Sequence, residues 1–516
     1  MTVGPGAAPA ADVAPKLVRG LGPVDATMIV MGSMIGSGIF ITSAESARLV
    51  GAPGWLLVAW ALAGLMTITG ALCCGELAAM MPRAGGQYVF LREAYGRPVG
   101  FLFGWATFLV VQTGTIAAVA VAFAKFLGVV LWPVSSDNYL IAPVPIAFGH
   151  YAVSLSTQQL TAIALIVFLT AANTRGLHTG KLIQNTFTFT KTAALIGLIV
   201  IGLTLGIDKS SAAWTASWWH PLANGWDPAE VAKGLPFAGS LALAVLLGKA
   251  MIGPLFSQSA WNNVTFTGGE THDPGRTLPR ALLFGTGSVV VLYLLANLAY
   301  VVALTLPEIQ HAPQDRVGTK LMEDVLGQKG TIVMALAILI STFGCVNGLT
   351  LAGARVTYAM ARDGLFFRAA GTTNRQHVPA VALWAQGFWA ALLTLPVTVA
   401  VDRVSGKTSY GNVYSDLLEY IIPVDVTFYM LMVGAVAVLR RRRPAAERPY
   451  RTWGYPLPVL IYIVLAVLLV LDFIALNPKT SGFGFLIVLA GIPVYLVWSK
   501  KDFTAEVAEN AERKTE

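Results

Sequence analysis

The chain has 516 residues, of which 55% are hydrophobic and only 12% are charged, and its net charge is +8. A soluble domain carries about a quarter charged residues, so this composition excludes a water-covered globular surface and points to an outer surface that faces lipid. The basic residues lie in short connections between apolar runs, which excludes a nucleic-acid platform, and the three cysteines, two of them adjacent at Cys73 and Cys74, offer neither a disulfide framework nor a metal cluster.

Within the expected tail, 1–22, residues Met1 to Pro15 are Ala/Pro/Gly-rich, with no basic segment leading into an apolar core. That pattern predicts a flexible tail and not a signal peptide. Long charge-poor runs then follow at about 26–44, 54–75, 98–124, 158–174, 192–207, 235–268, 281–306, 331–354, 378–400, 412–439, 456–475 and 481–498. Roughly 20 apolar residues cross a bilayer core as a helix, and backbone groups in hydrocarbon must bond internally. The expectation is an all-α membrane protein with about twelve transmembrane helices.

The stretches 207–234 and 307–329 are expected to be outer loops or short surface helices, with Trp214, Trp218, Trp219 and Trp226 suited to an interfacial belt. Lys and Arg concentrate on alternate connections, ending in the block Arg440 to Arg443, whereas the connection 133–157 has none. The positive-inside rule therefore places both termini, including the tail 501–516, in the cytoplasm of a multi-pass cell-membrane protein.

Two runs carry signs of interruption. In the first, Met31-Gly-Ser-Met-Ile-Gly-Ser-Gly-Ile-Phe40 places three glycines inside an apolar helix, where each costs about 1 kcal/mol against Ala. Either the helix unwinds to expose peptide groups to a ligand, or the small residues serve close helix packing. In the sixth, Pro254 precedes a polar cluster of Ser257, Gln258, Ser259, Asn262 and Asn263. A ligand site and a plain proline kink both fit that cluster alone. Breaks at matching places in two halves point to a site built on inverted repeats. Half-helix N-termini suit a carboxylate and opposing carbonyls suit an ammonium, so a zwitterionic amino acid satisfies both.

At these residues the chain resembles the amino acid–polyamine–organocation superfamily, and within it the L-type amino-acid transporter branch with its bacterial relatives. The motifs are Gly-Ser-Met-Ile-Gly-Ser-Gly-Ile-Phe at 32–40, Gly-Ala-Leu-Cys-Cys-Gly-Glu-Leu at 70–77, Pro-Arg-Ala-Gly-Gly-Gln-Tyr at 82–88 and Phe-Ser-Gln-Ser-Ala-Trp-Asn at 256–262. Arg-Thr-Leu-Pro-Arg-Ala at 276–281 and Phe-Gly-Cys-Val-Asn-Gly at 343–348 follow in order. The resemblance implies a LeuT-type fold of five-plus-five inverted repeats, 23–206 and 235–443, with two further helices in 444–500.

It also implies a substrate carboxylate on the Gly36, Ser37 and Gly38 amides and the Ser37 hydroxyl. The ammonium would meet the carbonyls of Ser33, Met34, Phe256 and Ser259. Phe256 would double as a gate, Trp261 would support the broken helix, and Asn262 belongs to the same substrate-binding set. Lys191 would occupy the neighbourhood of a sodium site, implying transport without sodium, with a snorkelling interfacial lysine as the other reading. Asp425 either reads the substrate side chain or bonds inside the bundle.

The reading that follows is a secondary active transporter of neutral L-amino acids by alternating access, through sodium-independent exchange or proton-linked uptake. The runner-up is a carrier of cationic amino acids or polyamines; from another class comes a non-transporting membrane sensor. Scattered histidines and the lack of HExxH or GxSxG signatures argue against an enzyme. Paired breaks argue against a channel. No cofactor or metal is expected. The expected partners are the amino-acid substrate and membrane lipid, and a monomer or weak homo-oligomer. The segment 133–157 lacks a cysteine, so no disulfide-linked heavy chain is expected.

Overall fold

The computed structural model describes residues 20–498, apart from 83–84, 147–150, 176, 208–210, 232–238, 377, 402–407, 411–412 and 477. The expected tails therefore lie almost wholly outside the described residues. Apolar, charge-poor stretches become helices because a membrane leaves no water to satisfy an open backbone. The first run yields α1 (Pro23–Met34) and α2 (Gly38–Val50), which meet at a 41° bend. Gly51, at φ 63°, ends α2 in the left-handed conformation that glycine adopts without strain.

Next come α3 (Pro53–Met80), α4 (Gln87–Tyr95) and α5 (Arg97–Ala106). A π-helical turn at Thr107–Val111 joins α5 to α6 (Gln112–Val130). Then follow α7 (Thr157–Asn173) and α8 (Leu177–Thr204). The sixth run divides into α9 (Gly239–Ala250), α10 (Ile252–Ser257) and the single turn α11 (Asn263–Phe266). The remaining long helices are α12 (Pro274–Ala303), α13 (Val317–Arg362, interrupted at Gly327), α14 (Ala380–Leu392), α15 (Val413–Arg442), α16 (Leu457–Leu476) and α17 (Pro478–Leu489).

Among the described residues nine helical segments are long and apolar enough to cross a membrane, or ten when α1 and α2 count as one span. The helices α7 and α14 are apolar but shorter, and they fall on the fourth and ninth expected runs. The stretch 207–234 carries only short turns of helix, at Ala212–Thr215, Pro221–Asn224 and Pro228–Val231.

The connection 133–157, expected to be a loop, instead pairs into a sheet. Strands β1 (Tyr139–Ile146), β2 (Tyr151–Ser156), β3 (Pro396–Val401) and β4 (Thr408–Tyr410) lie antiparallel in that order. Burial alternates along β2, as a half-buried strand requires. Pro143 and Pro145 sit in β1, the edge strand, where a missing donor is tolerated. Ser156 then starts α7 with a capping box: its hydroxyl accepts from the Gln159 amide at 3.2 Å while its own amide donates to Gln159 Oε1 at 2.7 Å.

The helix ends define two faces. On the basic face, Arg440 donates to both carboxylate oxygens of the buried Glu76 at 2.9 and 2.7 Å, and the Thr452 amide donates to it at 2.7 Å. Removing one partner of a buried pair costs about 3–5 kcal/mol, so this contact pins α3 to α15. Beside it, Arg443 donates to Glu93 at 2.7 Å, and Arg92 pairs with Asp363. The sheet covers the opposite, strand face.

Candidate functional site

The first break spans Ile35 to Ser37. Its glycines permit close approach: a Cβ on Gly38 would lie 2.0 Å from Ser257 Oγ, and one on Gly32 would lie 2.3 Å from Gln184 Nε2 and Thr188 Oγ1. Small residues here therefore serve close packing, and the chain also unwinds between Met34 and Gly38. At the start of α2 the amides of Ser37, Gly38 and Ile39 donate to no acceptor among the described residues. Three free N–H groups at a helix N-terminus form a cradle for an anion.

The carbonyls leading into the break are met by side chains from three other helices. Buried Lys191, on α8, donates from Nζ to Gly32 O at 2.5 Å. Cys345, on α13, contacts Ser33 O at 3.6 Å, Tyr293, on α12, donates to Met34 O at 2.9 Å, and Ser341, on α13, donates to Ile35 O at 3.2 Å. Lys191 is thus an interior side chain and not a snorkelling one. The unwound stretch is held open in a fixed shape, because each exposed carbonyl has a partner.

The second break begins at Gln258, after Pro254 in the first turn of α10, where its missing N–H costs no helical bond. The chain turns at Met251, before the proline, and unwinds only from Gln258 to Asn262. Ala260 holds φ 64°, a left-handed conformation rare outside glycine. Its amide donates to Tyr429 Oη at 3.3 Å, and that hydroxyl in turn donates to Asn262 Oδ1 at 2.9 Å. Asn262 Nδ2 donates to Gln87 Oε1 at 2.6 Å, while Trp261 stacks on Tyr429 with ring centroids 4.9 Å apart. Asn262 and Trp261 therefore brace the strained segment.

The two broken helices run antiparallel: Gly38 abuts Ser257, Gly253 abuts Thr42, and Ser46 Oγ donates to Ala250 O at 2.8 Å. Tyr414, on α15, closes the strand-face side of the break. Its hydroxyl is 3.2 Å from Ser37 Oγ, and its ring stands edge-on to Phe256 at 5.9 Å. From the basic face a cavity of about 80 Å³ reaches Ser33, passing Asp25 and Asn263 and the Glu270–Arg355 ion pair, at 3.1 Å.

The expected ammonium site differs in detail. The Phe256 carbonyl accepts both the amide and the hydroxyl of Ser259, at 3.1 and 2.8 Å, which uses its two lone pairs. The Ser259 carbonyl accepts nothing among the described residues, and Ser33 O has only the weak thiol donor. Asp425 is buried, makes no hydrogen bond among the described residues, and shares a cavity of about 10 Å³ with Ser259 and Trp261. That volume holds about one water molecule. Lys249 pairs with Glu419 at 3.8 Å.

Tyr414, Tyr293, Ser341, Gln87 and Tyr429 were not legible as site residues. Gln87 belongs to the motif at 82–88 and the others to ordinary apolar runs, and only the folded chain brings them to a break. All three cysteines are buried.

An amino acid permease family model matches residues 21–498, nearly the whole described chain. The mouse Asc-type amino acid transporter 1 is 28% identical over 502 residues, covering 94% of this chain and 82% of that protein. The human large neutral amino acids transporter small subunit 2 is 28% identical over 496 residues, with the same coverage of 94% and 82%. The human b(0,+)-type amino acid transporter 1 is 26% identical over 484 residues, covering 94% and 88%. With the paired broken helices, these matches identify the chain as a member of the amino acid permease family, within the amino acid–polyamine–organocation superfamily.

Proposed function

We propose that this protein is a secondary transporter that carries neutral L-amino acids across the cell membrane by alternating access, without sodium. The observation that carries the reading is the free amide cradle of Ser37, Gly38 and Ile39, which lies against a second interrupted helix with the open Ser259 carbonyl. Free donors attract a carboxylate, and an uncovered carbonyl attracts an ammonium. The relatives' names speak of Asc-type, large neutral and b(0,+)-type amino acids. Residues 23–206 and 235–443 act as the two inverted repeats, and Arg440 to Arg443 lie in the cytoplasm. The conformation is then closed by Tyr414 and Phe256 on the outer side and accessible from the inside through the cavity at Ser33.

Lys191 replaces a bound sodium ion: its ammonium holds the Gly32 carbonyl, tying α8 to the break. A neutral side chain is favoured because an unpaired cation in this site would carry several kcal/mol of desolvation cost. Asp425 supports a second reading, a cationic substrate, since it faces the small cavity beside Ser259 without a partner among the described residues.

The test is purified protein in liposomes, challenged with labelled amino acids with and without internal amino acid, sodium or a proton gradient. Uptake of leucine or alanine, indifferent to sodium, is the expected result. Uptake of lysine and arginine alone, abolished in Asp425→Asn, would establish the second reading instead. No flux of any amino acid, with binding retained, would identify a sensor.

A further inference from the structure

On the strand face a further cavity, of about 220 Å³, lies between the β1–β2 hairpin, the end of α6 and the start of α15. Its lining is mixed: apolar Val121, Val397 and Val413 alternate with polar Ser154, Ser156, Gln159, Gln314, Asp137 and Lys125. Lys125 sits near the end of α6 and is buried. Its Nζ has no hydrogen-bond partner among the described residues. Asp315, a carboxylate in electrostatic reach, is engaged by Arg48 at 2.7 Å, and the Lys125 carbonyl accepts from Arg316 at 3.4 Å. Cationic groups thus crowd this wall.

A buried, unpaired ammonium is costly. A buried ionisable group without a partner, on the wall of a cavity, fits a site whose partner comes from outside the chain. We propose that this cavity binds a small monovalent anion against Lys125, either a free halide or the carboxylate end of an amino acid. In the latter case Asp137, on the exposed rim, suits the ammonium. The hydroxyls and amides of Ser154, Ser156 and Gln159 are already ordered by one another: Ser154 Oγ donates to Gln159 Oε1 at 3.2 Å. An arriving anion therefore meets a preformed polar wall. This site is separate from the broken helices, and its test does not depend on what they carry.

Full-length protein in nanodiscs is melted in sodium methanesulfonate while chloride or acetate is titrated in. The expected result is a saturable rise of the melting midpoint with at least one of them. In Lys125→Gln the apparent affinity should fall by at least about tenfold, and in Lys125→Arg it should persist. Saturation by chloride identifies a halide site, and saturation by acetate alone identifies the carboxylate. Because Lys125→Gln could lose stability for other reasons, Asn138→Cys, exposed beside the rim and outside the lining, supplies a second measurement. The native cysteines are all buried, so a bulky thiol reagent attaches beside the rim. It should abolish the anion effect, while unmodified Asn138→Cys keeps it. No saturable rise in the wild type, or a rise that survives in Lys125→Gln or in the blocked variant, overturns the proposal.

Discussion

At the scale of single residues, two side chains divide the work at the first break. Ser37 lies where the free amides converge, and its hydroxyl faces Tyr414. Ser37→Leu would fill the cradle and remove a donor to a charged group, a loss of about 3 kcal/mol or more than a hundredfold in affinity. Uptake by that variant should fall to background while expression persists; normal uptake would remove the assignment. Lys191 acts differently, since it touches a carbonyl behind the cradle and not the cradle itself. Lys191→Ala should leave substrate affinity within about threefold of wild type and slow the exchange rate further than that. Equal losses in both would reduce Lys191 to a structural anchor.

At the scale of elements, the breaks were legible because glycine and proline announce themselves in an apolar run. Of the partners that stabilise the breaks, Lys191, Trp261 and Asn262 were reached through the family resemblance, whereas Tyr414, Tyr293 and Tyr429 were not. Gly32 and Lys191 are 159 residues apart and Ser37 and Tyr414 are 377 apart, and no local pattern encodes such contacts. The sheet was hidden for a related reason: two prolines in β1 speak against a strand until it proves to be an edge. On the basic face, α4 is secured to α15 by Glu93, whose carboxyl is held below its ordinary value of 4.5 chiefly by the hydrogen bond from Arg443. A lowered value favours the folded state above the ordinary range, and the benefit is lost as pH falls through the lowered value. The melting difference between wild type and Glu93→Gln should therefore be constant above about pH 5 and should close below about pH 4. A difference that grows on acidification would contradict the pairing.

At the scale of the whole molecule, both faces are held together by contacts between sequence-distant parts, but by different chemistry. Ion pairs from Glu76, Glu93 and Asp363 hold the basic face, while strands and aromatic rings hold the other. The positive-inside rule would turn the basic face toward the cytoplasm. A cysteine introduced at Asp137 should react with an impermeant reagent from outside the cell, and one at Arg442 should not; the reverse pattern would invert the proposed topology.

The join between β2 and β3 ties Tyr151, Ala152 and Val153 to Thr398, Val397 and Pro396. It links the segment after α6 to the segment before α15, so the ladder acts as a seam between two parts of the molecule. Its amide protons exchange with deuterated water only when the seam parts. Deuterium uptake at 151–153 is thus a clock that counts separations of that face directly, with no label and no flux. Substrate that speeds this clock makes the seam a moving part of the transport cycle, whereas a clock indifferent to substrate makes it the hinge line about which the helices turn.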